Sequence, residues 1–335
     1  MRILAIVSRD LEKGSTKYRL AQYLDYLSAQ GATVEFVRRD ALDYTVIEKA
    51  RNADLLFNQK CLVRQGMARR LVAASRRIVF DFDDAIYTRP GKPFSRLTQY
   101  RVNQRLHLWL RNATLVTPAN AYLESFAKRY SANVKVVPMA LDLEDWRPIH
   151  RQSSEVVTIG WAGAPVNIHL LERLEPVLAK VLSRFPQARL AVFSGQRPRL
   201  SIPFSYQPFE PGSESAFTAS LDIGLLPLIN EEFSRGKSPI KSLQYLACGV
   251  PVVGNVFGAT AEILRPENSL AVSDGEGWLV ALERLITSSE LRNSLGMAGR
   301  SFVEQKHNVR KIEEHFWTLI AQPSIGCESP ANHAS

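Results

Sequence analysis

Two lysines around the start of one short predicted helix are the residues of this chain with the clearest potential to bind a ligand. Ser238 is a suitable N-cap and Pro239 is favoured at a first helical position, so the helix should begin there. Lys237 then precedes the helix and Lys241 falls in its first turn. Because a helix start attracts anions through free N–H groups and its dipole, this arrangement predicts a diphosphate site, with Arg235 as a third cation. The alternative is a capped helix with no ligand.

The residues that follow show which elements would position this site. Gln244 lies on the same face of the predicted helix as Lys241, and Gly249 can end the helix in a left-handed conformation. The apolar segment 251–253 then begins a strand of the kind buried in parallel sheets. The anion site is therefore expected where a helix begins beside a parallel sheet.

Three carboxylates form the second group of candidate residues. Asp81, Asp83 and Asp84 stand at the end of the apolar run 78–80, and three uses compete for them. They could bind a divalent metal, act as nucleophile and acid of a phosphatase, or accept hydrogen bonds from substrate hydroxyls and nearby arginines. Phosphatases of the haloacid dehalogenase type usually carry their paired aspartates after the first strand, and here they follow a fourth. We therefore favour polar contacts with substrate, or a structural use.

Two loops after predicted strands complete the candidate set. The turn 160–163, Gly-Trp-Ala-Gly, would let a ligand approach the backbone, although it lacks the full dinucleotide-binding fingerprint. The loop 8–19 follows the first strand and carries Lys17 and Arg19, and we expect Arg19 to meet Asp83, Asp84 or an anionic ligand. Ordinary turns and helix caps are the alternatives.

Short apolar runs alternate with amphipathic stretches along the whole chain, which predicts parallel βα units and an α/β fold. A polar segment near residue 150 precedes a fresh strand, a glycine turn and a predicted helix over 167–184. We predict a first Rossmann-like domain over 1–150 and a second over 151–322, with the last helix free to pack back on the first. The tail 323–335 is expected to be disordered. One further strand is expected near 134–137.

Charge and cysteine content restrict the possible partners and compartment. The net charge of +9 lies entirely in residues 1–150, and no acidic residue occurs between Ala85 and Leu123. This basic half could contact an anionic membrane surface or an acidic acceptor. No base-stacking motif accompanies the charge, so nucleic acid is not expected as a partner. Three widely spaced cysteines favour a reducing cytoplasm, with the inner face of the membrane as an alternative location.

Taken together, these motifs resemble a retaining glycosyltransferase of the GT-B fold, in the broad family 4 that is also called glycosyl transferases group 1. The resemblance covers nearly the whole chain and depends mainly on the run 238–253, which ends Ala-Cys-Gly-Val-Pro-Val-Val. The segments 81–85, 117–123, 160–163 and 258–264 support it. The family pattern usually carries two glutamates eight positions apart, and in this alignment they fall on Gly236 and Gln244. Glutamine keeps an acceptor oxygen without the charge, whereas glycine has no side chain.

The resemblance implies a GT-B architecture of two Rossmann-like domains that face a cleft. It further implies transfer of a sugar from a nucleoside-diphosphate sugar, with retention, to a saccharide, lipid-linked or other hydroxyl acceptor in glycan or cell-surface polysaccharide biosynthesis. No metal and no other cofactor is expected. The implied donor-site residues are Gly160, Trp161, Ala162, Gly163, Arg235, Lys237, Ser238, Lys241, Gln244, Gly258 and Ala259. The implied acceptor-site residues are Lys17, Arg19, Asp83 and Asp84, and the catalytic candidates are Lys237, Lys241, Asp83 and Asp84.

Two other functions remain open from the sequence. The substitutions at Gly236 and Gln244 would also suit a non-catalytic protein that binds a nucleotide sugar or serves as a scaffold. An epimerase of similar architecture would need an acid and a base that we do not find. Measured turnover of nucleotide sugars separates the transferase from the binding protein.

Overall fold

A computed structural model describes residues 1–12, 14–149 and 155–322 of the chain. The predicted disordered tail 323–335 lies outside the described residues, as does most of the polar segment where the domain boundary was expected.

The first half of the chain forms a five-stranded sheet in which every neighbouring pair is parallel. Its strands follow one another in space in the order β2-β1-β3-β4-β5. The strands are β1 (Arg2–Val7), β2 (Thr33–Arg38), β3 (Leu55–Gln59), β4 (Ile78–Phe82) and β5 (Leu115–Pro118). The helices are α1 (Gly14–Arg19), α2 (Leu24–Ala29), α3 (Thr45–Asn52), α4 (Gln65–Ala74), α5 (Arg96–Asn112) and α6 (Ala121–Ala127).

The second half forms a six-stranded parallel sheet in the order β11-β10-β9-β6-β7-β8. Its strands are β6 (Val157–Ala162), β7 (Ala188–Ser194), β8 (Ser205–Pro208), β9 (Ile223–Leu226), β10 (Val252–Gly254) and β11 (Ser269–Ala271). Its helices are α7 (Ile168–Glu172), α8 (Glu175–Arg184), α9 (Glu214–Ala219), α10 (Glu232–Gly236), α11 (Ile240–Ala247), α12 (Gly275–Thr287), α13 (Ser289–Lys306) and α14 (Val309–Ala321). The α/β class with two parallel sheets is confirmed.

The last helix leaves the second sheet and packs on the first. Phe316 of α14 lies against Tyr23 and Phe57, with ring centroids 5.2 and 5.8 Å away. The chain segments that cross between the sheets are hydrogen bonded to each other, because Leu141 N donates to His307 O at 2.9 Å and Val309 N donates to Leu141 O at 2.9 Å. The two halves are thus joined by paired crossings.

Three local expectations are wrong. The segment 134–137 forms only an isolated bridge, between Val134 and Val116. The helix expected over 167–184 is broken into a short turn, α7 and α8, since Pro176 stands in the first turn of α8 and cannot donate to a preceding turn. The helix expected to begin at Pro239, with Ser238 as its N-cap, begins instead at Ile240, with Pro239 at the N-cap position.

Candidate active site between the two sheets

A cavity of about 340 Å³ lies between the carboxyl ends of the two sheets. This is the edge at which loops of parallel α/β sheets usually hold ligands. The first half contributes side chains after β1, β3 and β4, and the second half contributes the turn after β6 and the segment between α10 and α11. The polar and charged lining comprises Arg9, Ser15, Tyr18, Lys60, Asp83, Asp84, Asn167, Lys237, Ser238 and Lys241.

The two aspartates after β4 share one lysine. Lys60, just beyond β3, places its Nζ 2.7 Å from Asp83 Oδ1 and 2.6 Å from Asp84 Oδ2. Its backbone has a φ of +47°, and its N–H donates to the Asp81 carbonyl at 2.7 Å. The left-handed backbone turns the side chain from β3 toward the end of β4. Sequence reasoning missed Lys60, although its position directly after a strand was a usable signal.

The two carboxyls that contact Lys60 have pKa values shifted in opposite directions. Burial, and then the charge of Asp84, raises the pKa of Asp83. Burial opposes ionisation of Asp84 as well, but Lys60 outweighs it and lowers the pKa of that carboxyl. Although burial disfavours the charged lysine, both carboxylates raise the pKa of Lys60. Asp84 is therefore the ionised partner of a charged Lys60, and Asp83 is the carboxyl that more readily takes up a proton.

Arg19 does not belong to this cavity, so its predicted contact with Asp83, Asp84 or an acceptor is wrong. The guanidinium is 1 % exposed and forms a buried ion pair with Asp81, with Nε 3.1 Å from Oδ2. Its other nitrogens donate to the carbonyls of Thr117 and Val137. Arg19 therefore fastens α1 to the ends of β4 and β5 and has no face left for a ligand.

The two lysines that the sequence selected both line the cavity, in different electrostatic settings. Lys241 lies in the first turn of α11 and its Nζ contacts the Glu214 carboxylate on α9. Lys237 is half-buried and has no ion-pair partner within the described part of the chain. Burial lowers the pKa of Lys237, and the positive charges of Lys60 and Lys241 act in the same direction against the pull of Asp84 and Asp83. Lys237 is thus a cation that a bound anion would stabilise.

The segment that carries Lys237 is held by the first half of the chain. Asn120 Nδ2 donates to Gly236 O and to Ser238 Oγ, each at 3.1 Å, and Ser238 N donates to Asp83 O at 3.1 Å. Ser238 therefore does not cap α11, because its hydroxyl contacts Asn120 instead. These bonds on both sides of Lys237 hold its backbone against the segment that carries Asp83 and Asp84.

Gly236 makes this contact possible. A Cβ built on Gly236 would lie 2.9 Å from both Ala85 Cβ and Leu123 Cδ2, closer than real side chains approach. The space that a side chain at position 236 would need is thus filled by side chains of the first half of the chain. No longer side chain fits there without moving α10 away.

Gln244 is buried beneath the cavity and does not line it. Its Nε2 donates to Tyr18 Oη at 3.0 Å and to Glu214 Oε2 at 3.4 Å. Its Oε1 accepts no hydrogen bond from any described residue. Burial, followed by the charge of Glu214, raises the pKa of Tyr18 well above its usual range. Glu214 is a second site residue that sequence reasoning missed, since only tertiary packing brings α9 beside α11.

The turn after β6 forms a wall of the cavity but supplies fewer backbone donors than expected. Trp161, Ala162 and Gly163 line the cavity, yet Ala162 N already donates to Tyr245 Oη at 2.8 Å and Gly163 N to Phe193 O at 3.0 Å. Gly160 faces the sheet interior, where any Cβ would overlap Leu221. The expected approach of a ligand to Gly160 is therefore wrong.

Four other predicted residues lie outside the cavity lining. Arg235 is exposed and its Nε donates to Asn230 Oδ1 at 2.8 Å. Gly258 has a φ of +52° and packs against the backbone of Arg235, and Ala259 is 1 % exposed. Lys17 is half-buried, with its Nζ 5.8 Å from the centroid of the Tyr18 ring. These four residues were expected to contact a ligand, and none of them lines this cavity.

Neither a membrane-spanning helix nor a cluster of metal ligands is found among the described residues. No helix there is sufficiently long and apolar to span a membrane. No group of three or more histidine, cysteine, aspartate or glutamate side chains is placed to hold a metal ion within the same ranges.

The fold of this chain matches solved structures, although its sequence matches no known family. No protein-family model and no curated protein sequence matches the chain. Among solved structures, sucrose-phosphate synthase from Thermosynechococcus elongatus matches with a TM-score of 0.71 at 14% identity, over 96% of this chain and 98% of that one. HepE from Anabaena, solved with UDP and glucose, matches with a TM-score of 0.71 at 15% identity, over 96% and 100%. A glycosyltransferase from Rickettsia africae matches with a TM-score of 0.70 at 12% identity, over 95% and 97%. The chain has the GT-B fold of these neighbours.

Proposed function

We propose that this protein is a glycosyltransferase that takes a nucleoside-diphosphate sugar as donor. The observation that carries the proposal is Lys237, a half-buried cation with no ion-pair partner among the described residues, beside Lys241 and the first turn of α11. A diphosphate would supply the missing negative charge and accept from the helix start. Structures of similar fold that contain UDP or UDP-glucose support the same choice of donor.

The chemistry requires stabilisation of a leaving group. When the bond between the anomeric carbon and the diphosphate oxygen breaks, the diphosphate gains a negative charge, and the acceptor oxygen forms the new bond to carbon. Lys237 and Lys241, which both line the cavity, would stabilise that charge. The resemblance found in the sequence adds that attack occurs on the face the diphosphate leaves, with retention. With two ammonium groups at the diphosphate, we infer that transfer is independent of divalent metal.

The acceptor side is assigned to the first half of the chain. Asp83 and Asp84 line the same cavity as Lys241 and can accept hydrogen bonds from a saccharide or lipid-linked hydroxyl. Because burial raises the pKa of Asp83, that carboxyl is the better receiver for the proton that the acceptor hydroxyl releases. Lys60 holds both carboxyls in place through this exchange.

The test is binding of UDP, measured by calorimetry, to the wild type and to Lys237→Met. We expect the variant to weaken binding by about tenfold or more, since one hydrogen bond between charged groups is worth about 1.5–3 kcal/mol. Lys180→Met, an exposed lysine on α8, is the matched control and should bind UDP as the wild type does.

Turnover over a panel of nucleotide sugars, with and without EDTA, completes the experiment. Hydrolysis or transfer that EDTA leaves unchanged supports the enzyme. Binding without either reaction would instead identify a nucleotide-sugar-binding protein. If no nucleoside diphosphate binds, or if the two lysine variants behave alike, the donor site is refuted.

A further inference from the structure

A second concave region lies in the first half of the chain, outside the cavity between the sheets. It has a volume of about 800 Å³ and is formed by the turn after β2, the segment after β3, and one side of α4 and α5. Four arginines surround it, and we call it the arginine groove: Arg39, Arg64, Arg70 and Arg105. Its apolar lining includes Leu62 and Met67.

The positive charge of the arginine groove is not balanced within the described part of the chain. Two carboxylates share its lining, and both have other partners. Asp40 accepts from Arg38, with Nε 3.0 Å from Oδ1, and Asp43 accepts from the Thr45 N–H at 2.9 Å. The hydrogen bond from Arg38 lowers the pKa of Asp40, and the hydrogen bonds from the Thr45 hydroxyl and then its N–H lower the pKa of Asp43. No described carboxylate lies within ion-pair distance of the four arginines.

The groove also offers an aromatic surface beside the charges. Tyr44 is 67% exposed, and the Arg70 guanidinium lies 5.0 Å from the centroid of its ring. This contact orients one guanidinium of the groove, and Arg70 is an exposed residue. Planar guanidinium forks recognise phosphate oxygens two at a time, and several forks around one concave surface suit a group with more than one negative charge.

The position of the groove links it to the cavity between the sheets. Lys60 binds Asp83 and Asp84 in that cavity, and the chain continues directly into the groove at Leu62 and Arg64. The groove and the side of the cavity that we assign to the acceptor are thus formed in part by the same short segment after β3.

We propose that the arginine groove binds a phosphate group carried by the acceptor. This inference rests on the proposed glycosyltransferase function, which defines what an acceptor is. The phosphate belongs either to a phosphorylated saccharide or to a lipid that carries the growing glycan, and the arginines would recognise the same oxygens in both.

The primary experiment measures binding of inorganic pyrophosphate by calorimetry in a Lys237→Met, Lys241→Met background, which removes the two lysines assigned to the donor diphosphate. Adding Arg64→Gln and Arg70→Gln should weaken binding by at least about tenfold, given the strength of charge-assisted hydrogen bonds. Adding Arg69→Gln instead should leave it unchanged, because Arg69 is the neighbouring exposed arginine of α4 and does not line the groove. Equal affinities in the three proteins would overturn the proposal.

A measurement on the wild type does not depend on these variants folding. Pyrophosphate should protect Arg64 and Arg70 from phenylglyoxal, read by mass spectrometry, and leave Arg69 reactive. Equal reactivity of the three arginines with and without pyrophosphate counts against the groove. Because the donor test uses UDP and Lys237, a wild type that binds no UDP refutes the proposed function, while the pyrophosphate result stands separately.

Two further probes identify the source of the phosphate. Glucose 6-phosphate represents a soluble acceptor, and phosphatidylcholine vesicles with phosphatidic acid represent a lipid. Loss of glucose 6-phosphate binding in Arg64→Gln with Arg70→Gln assigns the groove to a phosphorylated saccharide. Loss of co-sedimentation with the vesicles assigns it to a lipid phosphate. If neither probe depends on these arginines, the proposal fails.

Discussion

Gly236→Ala tests whether the two halves of the chain must meet closely for the donor site to form. Gly236 ends α10, where alanine would ordinarily stabilise a helix by about 0.5–1 kcal/mol. The added methyl would, however, lie 2.9 Å from Ala85 Cβ and from Leu123 Cδ2, and 3.2 Å from Tyr122 Cδ1. Helix propensity therefore predicts that Gly236→Ala stabilises the protein, whereas packing predicts that it destabilises the protein.

The magnitude follows from those contacts. Overpacking of one methyl typically costs about 1–3 kcal/mol, which leaves a net destabilisation of about 0.5–2 kcal/mol after the helical gain. The strain is relieved if α10 moves away from the first half, which breaks the bonds from Asn120 to Gly236 O and Ser238 Oγ. If UDP binds only the docked arrangement, its apparent dissociation constant should rise by about 2–30-fold.

Thermal unfolding and UDP calorimetry on the same preparations measure both effects. Gly66→Ala is the control, since a Cβ at Gly66 in α4 meets no atom within 4 Å and should raise the melting temperature slightly. We expect Gly236→Ala to melt below the wild type and to bind UDP more weakly. A melting temperature equal to or above that of the wild type, with unchanged UDP affinity, would refute the packing argument.

Two further predictions follow from the charges. Arg19→Met should lower the free energy of unfolding in urea by about 3–5 kcal/mol, because it leaves Asp81 buried without its partner, and adding Asp81→Asn should recover part of that loss. Unchanged stability with a loss of acceptor binding alone would show that Arg19 contacts ligand after all. Since burial lowers the pKa of Lys237, and a bound anion favours the charged amine, UDP affinity should fall as the pH rises into the alkaline range. Lys237→Met should show a flatter profile, and parallel profiles would remove Lys237 from the site.

The strands could be predicted because parallel strands buried on both faces are nearly continuous apolar runs. The apolar run 78–80 lies within β4, and the segment 251–253, which predicts a buried strand, begins one residue before β10. β8 gave no such signal, since it lies at the sheet edge with its residues largely exposed. The strands could therefore be predicted because they are buried on both faces, more than because of intrinsic strand preference.

The site was predictable only where single loops defined it. Lys237 and Lys241 follow from the local chemistry of a helix start, and Asp83 and Asp84 from the end of a strand. Lys60 meets the aspartates because β3 is the neighbour of β4, which is a property of the strand order. Arg19 was misplaced for the same reason: its partner Asp81 and the carbonyls it binds come from three distant segments. Contacts between residues that are far apart in the sequence cannot be predicted from the local spacing of residue types.

The glutamine at position 244 acquires a physical explanation from its neighbours. Glu214 reaches the same place from α9, where its carboxylate contacts Lys241 and accepts from Gln244 Nε2 at 3.4 Å. A glutamate at 244 would set two carboxylates against each other in a buried setting, and that repulsion would raise their pKa values. The negative charge beside Lys241 is therefore supplied by Glu214, and the amide at 244 avoids a second one.

The same arrangement bears on the donor. The Oε1 atom of Gln244 is a buried acceptor with no partner among the described residues, and leaving such an atom unbonded costs about 1–3 kcal/mol. A hydroxyl of a bound ligand that reached it would recover that free energy. Because Gln244 does not line the cavity, a ligand could meet this amide only if the packing around it shifts, whereas the Glu214 carboxylate lies in contact with Lys241 in the first turn of α11.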